Sequence, residues 1–462
     1  MSESGVVEAV PEDLVSVSVA PKSASVSTTN AMGKALTGRV GLLVLESMTG
    51  IVCARILKPQ GRGELSAMIL WPVFLCQMFT LGIPSATIFS IRSKPGRIGA
   101  TISGAVTLSL VTSLITVVFG FLVLPRWLTH YDADIVRHSQ WFMWFAPVSM
   151  SVMILRGIWE SFGEFGKSAL SLIMTRALTL VALIGLASMH RLSSITAAYT
   201  YLLAGIPTIC WMLWVILPLA EWDLKAMASA GRSMLTYGLR SYGIDLCGAL
   251  SQYIDQALVL GMLTSAEMGT YTVALSLSRI LNVFAVAAST VLFPRTVGTS
   301  PRNAVLVAIR TEIAVSVMAA FGGTAMVLLG STALHYLYGR EYMAATLTLK
   351  ILIVEAILSG AITVMSQPFM ALGHPGVVTV LQITGLLTSI PLILLLVPRF
   401  GTEGACISLV LSACVRILLL GVCYARVLPK VVHWRHDVIT EAINLSRSFS
   451  NRLAVIRKPS AA

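Results

Sequence analysis

Hydrophobic runs of bilayer length set the pattern of this chain. They fall at 39–57, 65–91, 98–124, 140–161, 168–189 and 195–219, then at 235–263, 268–293, 304–330, 344–371, 377–398 and 403–427. Each is close to the roughly 20 residues that carry a helix across a hydrocarbon core. The pattern therefore predicts an all-α polytopic membrane protein of about twelve helices, with both chain ends on one side.

The flanks read differently. Residues 1–35 are rich in Ser, Val and Thr, carry Glu3, Glu8, Glu12 and Asp13, and show no basic stretch leading into an apolar core. They are expected to be a disordered tail rather than a cleavable signal. Residues 428–462 form a basic tail whose Val438, Ala442, Leu445, Phe449, Leu453 and Ile456 recur at helical spacing. That fits either a short helix on the membrane surface or a plain disordered tail.

The two sets of runs repeat. Pro84 ends the second run and Pro294 the eighth (294 − 84 = 210), and Gly163-x-x-Gly166 answers Gly373-x-x-Gly376 at the same offset. Arg191 answers Arg399 at 208, and Gly63 answers Gly269 at 206. With an even number of spans per half, the halves run in parallel, as an N-lobe over 36–219 and a C-lobe over 235–427, joined by a polar linker at 220–234. Such pseudo-symmetric lobes enclose a central cavity with the substrate near the midplane.

Composition narrows the class. The chain is 56% hydrophobic and 12% charged, with a mean hydropathy of +0.83, whereas soluble domains carry about 25% charged residues. The net charge of +12 is read as topology determinants and attraction to anionic lipid, not as a nucleic-acid surface. Arg92, Lys94, Arg97, Lys167, Lys225, Arg232, Arg295, Arg302 and the basic tail share one side. The opposite connections are sparser in Lys and Arg, so both ends are expected in the cytoplasm. The seven cysteines lie in apolar runs without CxxC pairing and read as packing residues.

Charges inside the spans are the candidate chemistry. Counting rise along each helix places Arg176, Arg279, Glu355 and Arg416 near the middles of spans five, eight, ten and twelve. Glu46 lies a third of the way along span one, and Asp245 and Asp255 lie in the inner and outer halves of span seven. Asp245, Gln252 and Gln256 share one face of that helix. Such residues face protein or water rather than lipid. The arginines either pair with Glu46, Asp245 or Glu355, or line a basic cavity suited to a pyrophosphate, which guanidinium binds bidentately. Arg240, nearer a span end, either snorkels to the headgroups or adds to that cavity with Gln252. Glu46 and Asp255 are candidates for taking up H+ or Na+ as the faces alternate. There is no GxxxxGK[ST], HExxH, paired CxxC or GxSxG, so no cofactor, metal centre or catalytic residue is expected.

Several short motifs resemble one family. Tyr253-Ile-Asp255-x5-Gly261-x7-Gly269-x-Tyr271-x2-Ala274, closing on Phe293-Pro294, is similar to the polysaccharide-type (Wzx-like) flippases of the multidrug/oligosaccharidyl-lipid/polysaccharide exporter superfamily. Ala54-Arg55-Ile56-Leu57-x-Pro59-x3-Gly63, Leu337-Tyr338-Gly339-x2-Tyr342 and Gly373-His374-Pro375 resemble it too, so that the likeness covers roughly 36–427. The resemblance implies two lobes opening alternately, a cargo of oligosaccharide on undecaprenyl pyrophosphate, and a bacterial inner membrane. It also implies contact with membrane lipids and a place beside a polysaccharide polymerase or export complex. Asp255 matches the family's acidic position in span seven; the arginines rest on depth alone. An ion-coupled drug or metabolite antiporter on the same scaffold, and a membrane glycan polymerase or ligase, remain as alternatives. The loop after span two reads RSKPGR and lacks the Gly-x3-Asp-Arg pattern of major-facilitator transporters.

Overall fold

The computed structural model describes residues 28–93 and 95–427, so the expected tail at 428–462, and residues 1–27 of the other, lie outside the described residues. Within them the chain is helical, without a strand: α1 (Thr28–Met78), α2 (Ile83–Ser93), α3 (Ile98–Trp127), α4 (Ala133–Phe142), α5 (Ala146–Ser161), α6 (Phe165–Ser188), α7 (Ser194–Leu203), α8 (Gly205–Ile216), α9 (Leu224–Met262), α10 (Ser265–Ser278), α11 (Asn282–Thr296), α12 (Pro301–Ala333), α13 (Thr346–Met365), α14 (Gln367–Ala371) and α15 (Pro375–Val427). Among the described residues, eight helical stretches are long and apolar enough to cross a membrane, or nine if the bent pair Gly41–Met78 and Ile83–Ser93 is one span.

Two helices are too long for one crossing, and each is broken. α1 has 51 residues and α15 has 53, about 75–80 Å at helical rise against a hydrocarbon core of about 30 Å. Inside α15, Gly401 adopts φ 56, ψ −132, a conformation open to a residue without Cβ, shortly after Pro398. The Ser412 hydroxyl donates to the Gly385 carbonyl at 2.9 Å although the residues lie 27 apart. The chain therefore doubles back at Gly401. In α1 the break falls at Lys58 (φ 61, ψ 176), which precedes Pro59 and is pushed out of the helical region by the proline ring.

These breaks define one end of the bundle. A Cβ added at Gly401 would stand 3.7 Å from the Glu267 Oε1 at the start of α10, and Gly269 packs on the carbonyl of Pro59. We call this the far end; residues 28 and 427 lie at the near end. Buried side chains form three clusters. One draws on both halves, from Cys53, Trp71 and Leu124 to Tyr271, Tyr342 and Cys406. Of the others, one lies around Ile83, Ile158 and Met212 of the first half together with Met234 of α9, and one around Leu292, Phe369 and Tyr424 within the second half. Toward the far end the halves share a broad core; toward the near end the second half meets the first through α9. The near half of span eight, α11, packs on α12, α13 and α14 of its own half, whereas α10 runs along α1.

The repeat is visible in a turn. In the first half the Glu164 amide donates to the Trp159 carbonyl (2.9 Å) and Gly163 to Glu160 (3.1 Å). In the second, His374 donates to Phe369 (2.8 Å) and Gly373 to Met370 (3.3 Å). Both are the helix-ending motif built on a left-handed glycine, with φ 81 at Gly163 and φ 78 at Gly373.

The expected linker at 220–234 is helical from Leu224 onward, and the described part of the expected disordered tail is helical from Thr28. The Asp223 carboxylate caps the helix by accepting from the amides of Lys225 and Ala226, and the residues that follow are strong helix formers (LKAMASA). A polar sequence here continues α9 rather than ending it. The segment packs on α3, where Gly104 lies against Met227, Gly231 and Met234.

Candidate functional site

Four of the predicted positions converge where the halves meet. The Arg176 Nε lies 3.2 Å from the Glu46 Oε1, joining α6 to α1, and their side chains are 42% and 49% exposed. The phenol of Tyr253, on α9, is within electrostatic reach of Arg176, Glu46 and Arg279 together. Its ring packs on Phe74 at 6.2 Å, and the Gln252 amide donates to its hydroxyl at 3.3 Å. Arg279, where α10 passes into α11, is exposed and forms no ion pair among the described residues. Two guanidinium groups, one carboxylate and an amide thus surround a tyrosine held by both halves. Charged groups at membrane depth are disfavoured against lipid, and these three act on one tyrosine where the halves meet.

A second polar group sits inside the second half. The Ser389 hydroxyl, on α15, donates to the Asp255 carboxylate at 2.9 Å. The Arg416 Nη2 lies 3.4 Å from the Ser359 hydroxyl, which in turn donates to Glu355 through a short bond. Arg416 lies over Gly385, where an added Cβ would stand 2.8 Å from its Cδ. Arg416, Glu355 and Arg279 all act on Asp255 electrostatically. The structure places Arg416 in this interior network with Glu355 and Asp255, while Arg176 and Glu46 lie with Tyr253. Arg279 stands between the two groups.

Arg240 and Asp245 are set apart. On the continuous α9 they lie about 20 Å and about 12 Å from Tyr253 along the axis. Asp245 neighbours Tyr242, whose hydroxyl donates to the Met78 carbonyl. Nearby, Phe89 and Tyr237 stack at 4.2 Å and join the halves on this side. Gln256 donates to the Gln252 carbonyl at 3.3 Å, so the polar face expected on this helix is partly spent on itself.

Several working residues escaped the sequence reading. Tyr253 was quoted only as part of a motif, although its position two residues before Asp255 puts it on the helix that joins the halves. Ser359 and Ser389 connect the charges, but a serine in an apolar run gives little signal of its own. No group of three His, Cys, Asp or Glu side chains suited to a metal occurs among the described residues.

The described residues form a helical membrane bundle of two halves, with charged groups where the halves meet. The chain belongs to the polysaccharide biosynthesis protein family, whose profile matches residues 36–299. It is 24% identical over 227 residues to a probable low-salt glycan biosynthesis flippase from Haloferax volcanii, covering 48% of this chain. The match spans about half the length of that curated relative (47%). Among solved structures, the lipid II flippase MurJ in an inward closed conformation superposes with a TM-score of 0.72 at 13% identity, over 90% of this chain and 92% of that one. An inward-facing multidrug-resistance MATE transporter of the MOP superfamily superposes at 0.62 and 16% identity, over 85% and 96%. At these identities the structures show the fold.

Proposed function

We propose that the protein is a flippase for a lipid-linked oligosaccharide, moving an undecaprenyl-pyrophosphate-borne glycan from the inner to the outer leaflet of a bacterial cytoplasmic membrane. The observation that carries this reading is the charged group around Tyr253, where Arg176 and Arg279 come together from the two halves. Guanidinium groups bind phosphate oxygens bidentately and stay charged when partly desolvated. The polar headgroup travels between the halves while the prenyl tail stays in the bilayer. The chain crosses twelve times with both ends in the cytoplasm, so the near end faces inward and the structure is a state closed to the outside. Glu46 and Asp255 are the places where a coupled H+ or Na+ would act, and a polysaccharide polymerase or export complex would receive the product.

The MATE likeness in fold raises a drug antiporter as the rival. A cationic drug would meet Arg176 and Arg279 as like charges, which argues for an anionic cargo. The test is a deletion strain: lipid-linked repeat units should accumulate on the inner leaflet and surface glycan should be lost. Units that reach the outer leaflet normally and merely stay unpolymerised would overturn the reading.

A further inference from the structure

Arg62 is a part-buried arginine with no acid beside it among the described residues. Arg62 lies just past the break at Lys58, where the second limb of α1 begins. Its Nε is sealed from solvent and has no hydrogen-bond partner. The groups within reach of its guanidinium are the Tyr201 and Tyr342 hydroxyls and the Cys53 thiol, with Tyr338 close by. Arg62 takes part in none of the ion pairs among the described residues. By contrast, Arg176 has Glu46, and Arg416 reaches Glu355 through Ser359.

Taking a guanidinium out of water without a carboxylate or full hydrogen bonding is costly. The Tyr201 hydroxyl bonds to the guanidinium and a thiol and a further hydroxyl lie near it, so the closed far end holds a part-buried positive charge whose Nε is unused. The cover is also removable. Tyr342 belongs to the second half and reaches across to donate to the Ala54 carbonyl at 3.1 Å. Cys53 and Tyr201 belong to the first half, as Arg62 does. When the halves part at the far end, Tyr342 leaves and Arg62 turns to the opened cleft.

We propose that Arg62 is a second phosphate-binding station, used at the far end after the seam opens. This rests on the flippase reading above. Along α1, Cys53, which the Arg62 guanidinium reaches, is seven residues beyond Glu46, so the station lies about 10 Å nearer the far end than the Arg176–Glu46 pair. A pyrophosphate headgroup leaving Arg176 and Arg279 would find a guanidinium that the closed state had kept without an acid partner. While the seam is shut, Tyr342 stays within reach of Arg62 and the headgroup is held at the midplane.

The seam supplies its own wedge for a test. A Cβ at Gly269 would stand 1.9 Å from the Pro59 carbonyl oxygen, so Gly269→Leu should force the far end apart. Opening is read from maleimide labelling of Cys53, which is wholly buried in the closed state and is located by peptide mass. Binding of farnesyl pyrophosphate to the purified full chain is then measured with and without Arg62→Gln. In the wedged background Arg62→Gln should weaken binding by about tenfold or more, the size of a lost charge-assisted contact; in the unwedged chain it should leave binding unchanged.

Equal weakening in both backgrounds, or in neither, would overturn the station. Gly63→Leu wedges the same contact from the other side and replaces Gly269→Leu if that variant does not fold. If neither wedge exposes Cys53, the seam is not a gate and the station fails with it. Loss of binding on Arg176→Gln with no Arg62 effect in the wedged chain would sink the station and leave the flippase reading standing. Absence of binding in every background would remove that reading itself.

Discussion

Gly63 and Gly269 are partners across the far seam. A Cβ on Gly63 would stand 1.7 Å from the Ser265 carbonyl oxygen, and one on Gly269 would stand 1.9 Å from the Pro59 carbonyl oxygen. Each half thus presses the backbone at its own turn onto a glycine of the other. Ser66 and Thr272 meet at 3.3 Å one turn deeper, and Lys58 pairs with Glu341 at 2.9 Å. Backbone contact this close leaves no space for a methyl group without displacement of a helix.

Gly269→Ala should therefore loosen the closed state. Overpacking of this kind costs about 1–3 kcal/mol, which should appear as a lower melting temperature of the purified protein. Maleimide labelling of Cys53 should rise together with it. An alanine variant that melts and labels like the parent would show that the two helices are not held at this separation.

The Arg176–Glu46 pair leads to a different expectation. Both side chains are part-exposed, so water screens the pair and it adds only about 0–1 kcal/mol to stability. Glu46→Gln should melt within a degree or two of the parent. It should also bind a prenyl pyrophosphate more tightly, because the carboxylate no longer competes for the guanidinium. Arg176→Gln should bind the same probe about tenfold or more weakly. Weaker binding by Glu46→Gln than by the parent would mean that the carboxylate orients the arginine rather than competing with the ligand.

The sequence carried the architecture better than the site. Bilayer-length runs and the 210-residue offset pointed to helices and to matched turns at Gly163 and Gly373, since run length and glycine conformation are local properties. The extent of α9 was harder to see, because Asp223 looks like a loop residue until its capping bonds are found. Depth along a helix found the charges but not their partners. Arg176 and Arg416 lie at similar depth, yet one meets Glu46 and the other Ser359. Helix rotation decides that, and one sequence fixes rotation poorly where polar residues are few. Arg62 lies in the short polar stretch between two apolar runs, and the fold alone brings Tyr201 and Tyr342 within its reach.

Trp127 gives a prediction about the seam. Its indole Nε1 donates to the Ala257 carbonyl at 3.0 Å, linking α3 to α9, and its ring stands edge-on to Trp71 at 5.8 Å. Trp127→Phe keeps most of the ring and loses the donor, which should cost about 0.5–1.5 kcal/mol. Trp127→Ala also leaves a cavity and should cost about 3–5 kcal/mol. Thermal melts of the two variants should separate these contributions. Equal losses would place the whole effect in the hydrogen bond.

The interior network of the second half should behave as a unit. Arg416 and Glu355 are connected only through the Ser359 hydroxyl, and Asp255 feels both charges while bonded to Ser389. Removing one charge from such a group strands another; for buried pairs the cost is about 3–5 kcal/mol. Arg416→Gln should thus destabilise strongly by leaving two acids with less cationic support. Adding Glu355→Gln should recover part of the loss, because the stranded charge goes with it. In a double-variant cycle the coupling should reach about 0.5–3 kcal/mol, the range for residues of one network. Ser359→Ala should weaken that coupling while leaving all three charges in place, which separates a bonded relay from simple proximity. Additive losses for Arg416→Gln and Glu355→Gln, insensitive to Ser359, would mean that each charge is satisfied on its own and that the second half holds no coupled centre.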